Sequence, residues 1–244
     1  MRANLMALAI TLTAPLAAHS GDWTYSITPY VWLPGTTTSL ATDRRELSVE
    51  SSGSDALSDL DFAFMGSFEA RNGQWGLLTD LLYADFSKDV ETPLGRLYSG
   101  GTVETDISAL SGYVAYRFHD SGSVTADVLG GFRAYSTGID LALQPGRLPA
   151  RREHLEERWA HLLIGARVGV RLAEQWSAGL AVDVGGFDRD QDFSWQALAT
   201  VNYDLNEAWS IRGGWRHLVI EKQFDAADVA VKLSGPVIGV HYRF

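Results

Sequence analysis

Apolar and polar residues alternate with a period of two along most of the chain, the pattern of β-strands whose two faces meet different surroundings. Over 22–33 one face reads Trp23, Tyr25, Ile27, Pro29, Val31, Leu33, and the other reads Thr24, Ser26, Thr28, Tyr30, Trp32. Over 61–71 the apolar face is Phe62, Phe64, Gly66, Phe68, Ala70, opposed by Ala63, Met65, Ser67, Glu69, Arg71. Comparable strands are predicted at 74–86, 105–118, 123–136, 159–172, 175–187, 194–205, 209–220 and 230–244, which makes ten.

The connections alternate long and short. Segments 34–60, 87–104, 137–158, 188–193 and 221–229 are the longer ones, and Asn72-Gly73, 119–122, 173–175 and 206–208 are the turns between them. Short turns at one end and longer polar loops at the other are the plan of a transmembrane antiparallel up-and-down β-barrel, with periplasmic turns and extracellular loops. If "TTTSLA" and "ELSVES" form a full-height hairpin rather than an external one, the strand number becomes twelve. A two-residue Asn72-Gly73 turn pairs Arg71 with Gln74 and Ala70 with Trp75, which keeps the large apolar residues on one face.

Composition agrees with an alternating chain. The 244 residues are 46% hydrophobic, yet mean hydropathy is -0.05 and no run after the first twenty residues reaches the roughly 18 apolar residues of a membrane helix. A net charge of -10 without clustered Lys and Arg argues against nucleic acid as a partner. The absence of cysteine excludes a disulfide scaffold and thiolate chemistry. Residues 1–20 read as a secretory signal peptide: Arg2, an apolar stretch from Leu5 to Ala18, and small residues around a cut after Ser20. The barrel domain is then 21–244.

Trp75, Trp176 and Trp209 each open a strand just after a short turn, and Trp23 opens the first. Four indoles at one height form an interface girdle, with the ring in the apolar zone and the N–H toward the headgroups. The last strand ends with Val240, Tyr242 and Phe244 on its outward face. This resembles the closing strand by which bacterial outer-membrane proteins are recognised, and it implies a transient partner, the barrel-insertion machinery. The segments "SITPYVWLPG", "DLDFAFMGSFEAR", "GLLTDLLYADFS", "LLIGARVGVRL", "DVGGF", "SWQALATVNYDL" and "SGPVIGVHYRF" resemble, in the same order, a family of proteobacterial outer-membrane β-barrel proteins with no assigned activity. The resemblance departs at 34–60, 88–104 and 137–158. It implies a fold and a bacterial outer-membrane location, and no reaction.

The inward positions carry the chemistry. Asp80, Arg133, Arg167, Asp183 and Arg216 are expected to form an ion-pair lattice in the lumen, since buried charges must be paired or stay wet. Facing Ala181, Arg167 lies diagonal to Asp183, and these two are the expected pair. Ten strands sit near the size at which side chains fill the interior. The leading reading is therefore a monomeric structural or surface-interaction protein with a largely filled lumen. A narrow passive channel for small solutes is the alternative, and a lipid or peptide hydrolase at the rim is the third. No catalytic residue, metal site or cofactor is assigned, because the mature histidines form no His-x-Ser motif. His217 reads as an interfacial ring. "DRDQD" at 188–192 lacks the glycine and final Glu of a calcium loop. "RREHLEERW" at 151–159 reads as a short helical cap, and Arg147, Arg151 and Arg152 as possible contacts for lipopolysaccharide phosphates within the outer-membrane lipid.

Overall fold

A computed structural model describes residues 23–42, 45–51, 60–90, 98–187, 192–224 and 227–244. The strands are β1 (Trp23–Trp32), β2 (Gly35–Thr42), β3 (Arg45–Ser51), β4 (Leu60–Asn72), β5 (Trp75–Val90), β6 (Tyr98–Asp120), β7 (Val124–Pro145), β8 (Arg151–Arg171), β9 (Trp176–Gly185), β10 (Phe193–Asp204), β11 (Trp209–Phe224) and β12 (Ala227–Arg243). From β4 to β12 each strand pairs antiparallel with the next, and β1 closes the ring by pairing with both β4 and β12.

The strand count comes to ten around the barrel because β2 prolongs β1 along the same neighbour. β1 ends with Trp32 opposite Val237, and β2 resumes with Gly35 opposite Ser234. Pro34 and Pro236, which cannot donate to a ladder, mark the break. Gly235 is needed there, since a Cβ on it would stand 2.1 Å from the Leu33 carbonyl oxygen. β3 folds back on β2, with Thr36 opposite Ser51 and Leu40 opposite Leu47. "TTTSLA" and "ELSVES" thus make an external hairpin above a ten-stranded barrel.

The first short turn lies one residue later than the sequence suggests. Gly73 and Gln74 form it, with Gly73 at φ 54°, so Asn72 pairs with Trp75 and Ala70 with Leu77. Placing the positive-φ residue first in a two-residue loop suits hairpin twist. The pairing moves by two residues relative to expectation, and a shift of two leaves every side chain on its face.

The long connections are also more regular than the sequence suggests. β6, β7 and β8 run for 23, 22 and 21 residues, whereas β9 has 10 and β10 has 12. Most of 137–158 is strand, and 151–159 is extended rather than a helical cap. Each of its residues pairs with β7, from Leu143 opposite Arg151 to Tyr135 opposite Trp159. Its charges lie on both faces because they alternate around a ladder. Local propensity yields here to cross-strand pairing.

Polarity inverts along these long strands. Outward positions on β5 read Trp75, Leu77, Leu81, Tyr83 and then Asp85. On β6 they read Tyr116, Val114, Leu110 and then Asp106 and Glu104, and on β8 Val168, Ile164, Leu162 and then Arg158 and Glu156. From Trp75 to Tyr83 is about 26 Å at ~3.3 Å per residue, close to the tilted span of a membrane strand. Above that height water wets the outer face, and the apolar residues turn inward. The core accordingly sits in the upper lumen: Trp32, Leu82, Ala109, Tyr135, Leu218 and Val237 are buried together, with Trp159, Leu198, Ile220 and Leu233 against them.

Candidate functional site

Below that core the lumen is crossed by two tiers of bonded charge. In the first, Arg216 of β11 places Nη2 2.9 Å from Asp80 Oδ1 on β5, donates from Nη1 to Tyr30 Oη at 2.7 Å, and donates from Nε to Gln196 Oε1 at 2.9 Å. Tyr30 donates in turn to Asp80 Oδ2 at 2.8 Å. Gln196 donates to Asp183 Oδ2 at 3.3 Å, and Arg133 Nη2 lies 3.1 Å from the same carboxylate. Arg133 also donates to Tyr113 Oη at 2.7 Å and Ser111 Oγ at 2.8 Å, while Tyr113 donates to Asp183 at 3.1 Å. One hydrogen-bonded chain therefore runs from β5 through β1, β11, β10 and β9 to β7 and β6. The guanidinium of Arg216 stands 4.9 Å over the Trp32 ring, which seats this tier against the apolar core.

The second tier, nearer the short turns, gathers around Asp127 of β7. Arg71 Nη2 at 2.8 Å, Arg117 Nε at 2.9 Å and Arg167 Nη2 at 2.7 Å all converge on it. Arg117 and Arg167 sit directly opposite Asp127 on its two flanking strands. Arg167 also clasps Glu69 of β4 with both Nη atoms, at 2.8 and 2.9 Å, which ties opposite walls together. Arg71 Nε reaches Glu69 at 3.1 Å. Gly76 makes room, since a Cβ there would stand 3.1 Å from Arg71 Nη2. Outside the lipid zone, the Gly122 amide donates to Asp120 at 3.0 Å and, with Arg117, holds that carboxyl below its ordinary range.

All five lattice residues chosen from sequence point into the lumen, and the structure arranges them in two groups. Asp80 meets Arg216, and Arg133 meets Asp183. Arg167 faces Ala181 as expected, but its charge partners are Glu69 and Asp127 rather than Asp183. Asp127 is directly opposite on the other neighbour and offers the shorter reach. Sequence reasoning left out Arg71, Arg117, Tyr30 and Tyr113 as lattice members. Their inward parity was readable, but Arg71 and Tyr30 reach partners on strands that are not their neighbours, whereas Arg117 meets Asp127 directly across the ladder.

The girdle residues face outward in the described structure. Trp75 packs against Tyr116 with ring centroids 5.0 Å apart, Trp176 against Tyr203 at 4.9 Å, Trp209 against Tyr242 at 4.5 Å, and Trp23 stacks on Tyr25 at 6.3 Å. Phe244 lies between Tyr25 and Tyr242, at 5.8 and 5.7 Å, so the last residue completes this aromatic row where the barrel closes. Val240 is exposed on the same face. His217 points outward against Trp195 at 4.9 Å, away from Arg216. His154 contacts Asp140 at 2.9 Å, and alternation puts Glu157 on the other face. Residues 188–191 of the acidic "DRDQD" lie outside the described residues, and Asp192 is 3.3 Å from Lys222.

A closed antiparallel barrel with an apolar belt, an aromatic girdle and a polar, side-chain-filled lumen defines the class: a β-barrel of the bacterial outer-membrane type. The outer-membrane protease OmpT of Escherichia coli shares the fold at a TM-score of 0.60 and 10% sequence identity, covering 92% of this chain and 98% of that one. The transport unit of the autotransporter AIDA-I from Escherichia coli (TM-score 0.43, 8% identity, 96% and 94% covered) and Neisserial surface protein A (0.37, 11%, 92% and 98%) are more distant. At these identities the likeness bears on the fold alone. No family model and no curated protein matches the sequence.

Proposed function

We propose that this protein is a plugged outer-membrane barrel with a structural or surface-interaction role and no solute-conducting or catalytic one. The observation that carries the reading is the burial of the lattice: Arg133 is 0%, Asp127 1%, Asp183 4% and Arg216 4% exposed. A permeant solute would have to break charge-assisted bonds that reach across the lumen and leave their partners unmatched, at about 3–5 kcal/mol for each broken buried pair. The long β6, β7 and β8 carry the chain well above the lipid on one side, with Arg158, Glu156, His154 and Asp140 on their outer face. Such a collar is placed to meet lipopolysaccharide headgroups or a surface partner. Planar-bilayer recording tests the reading. Folded protein is expected to give no stable unitary conductance, and reproducible single-channel steps would replace the plug with a narrow channel.

A further inference from the structure

Beside Tyr30, Asp80 and Arg216 of the first tier lies a cavity of about 40 Å³ that Arg212 also lines. Gly239 contributes no side chain to its wall. The volume exceeds the ~10–15 Å³ that admits one water and is far below the roughly 300–1,000 Å³ of an organic-ligand pocket.

The charges around it do not balance. Asp80 is engaged on both oxygens, by Arg216 and by Tyr30. Glu69, farther down, is engaged by Arg167 and Arg71. Arg212 has no carboxylate within ion-pair distance among the described residues. Its Nε donates to Asn202 Oδ1 at 2.6 Å, and Asn202 is itself held by Ser177 at 3.2 Å. Neither Nη group of Arg212 has a hydrogen-bond partner among the described residues, and this half-buried cation lines the cavity. A guanidinium cannot shed its proton, and a partly desolvated charge is stabilised by a counter-charge. The hydroxyls of Ser67 and Thr200 around the cavity add rotatable donors, while that of Thr28 is engaged by His241 Nδ1 at 2.9 Å.

We propose that this cavity binds a small inorganic anion, of the size of chloride or nitrate, with Arg212 as its counter-charge. The proposal stands on the unmatched cation and the cavity size, and it holds whether or not the lumen conducts.

The test is chloride binding by folded protein in zwitterionic micelles, read as excess chlorine NMR line broadening in a gluconate buffer. Nitrate should displace chloride, whereas gluconate is too large for the cavity and should not. Arg212→Gln should weaken binding about tenfold or more, Arg212→Lys should retain part of it, and Lys232→Gln on the outer surface should change nothing. Equal broadening by wild type and Arg212→Gln, or displacement by gluconate as readily as by nitrate, would overturn the site. Should Arg212→Gln fail to fold, urea unfolding of the wild type decides. A higher midpoint in sodium chloride than in sodium gluconate of the same ionic strength supports the site, and equal midpoints remove it.

Discussion

Arg133 and Asp183 meet 3.1 Å apart although their strands, β7 and β9, are separated by β8. The pair is reachable because β8 presents Gly165 opposite Asp183, and a Cβ at that glycine would stand only 3.0 Å from the Asp183 Cβ. Tyr113 and Gln196 bond to Asp183 Oδ2 and Ser111 accepts from Arg133 Nε, while Arg133 Nη1 and Asp183 Oδ1 are buried without a hydrogen-bond partner of their own. The result is a buried ion pair whose hydrogen-bonded surround offsets part of its desolvation cost.

Asp183→Asn is therefore expected to destabilise the barrel by about 3–5 kcal/mol, because Arg133 loses its carboxylate while staying buried. Adding Arg133→Gln should restore much of that loss. Urea titration in lipid vesicles gives the coupling energy of the double-mutant cycle, and simple additivity would contradict the pair.

The same titration separates the tiers. Arg167→Gln removes contacts to Glu69 and Asp127 and none to Asp183. Combined with Asp183→Asn it should add within about 0.5 kcal/mol, as independent sites do. A large coupling would mean that the two tiers act as one.

Charge on the outer face should be tolerated by height. Val182, exposed on the lipid-facing side of β9, is expected to lose about 2–4 kcal/mol as Val182→Arg at the midplane. Glu104→Arg, outward on β6 above the inversion of polarity, should cost little. Heat-modifiable electrophoretic mobility of the folded fraction reads both, and equal losses would place the lipid boundary elsewhere.

Deleting Phe244 should reduce assembly far more than replacing Asp190 with Asn. Phe244 exchanges two backbone hydrogen bonds with Tyr25, at 3.0 and 3.3 Å, besides its ring contacts at the closure seam. The folded fraction in isolated outer membranes measures this, and comparable yields would remove the terminal residue from the insertion signal.

The sequence by itself determined which face each residue occupies. A strand's side-chain period is two, so parity alone sent Trp75, Leu77 and Val182 outward and Asp80, Arg133, Arg167, Asp183 and Arg216 inward. That assignment survived even where the Gly73 turn moved the pairing by two residues. The alternation of short and long connections likewise set the strand order, because antiparallel neighbours need little chain between them. Only the tertiary structure decided who meets whom. Partners such as Glu69 and Arg167, or Tyr30 and Arg216, come from walls brought face to face by closure, and neither strand register nor local spacing encodes that distance. The extension of β6, β7 and β8 above the lipid belongs to the same class. Outside the membrane the polarity code reverses, so a charged segment such as 151–159 reads as loop or helix until its partner strand is in place.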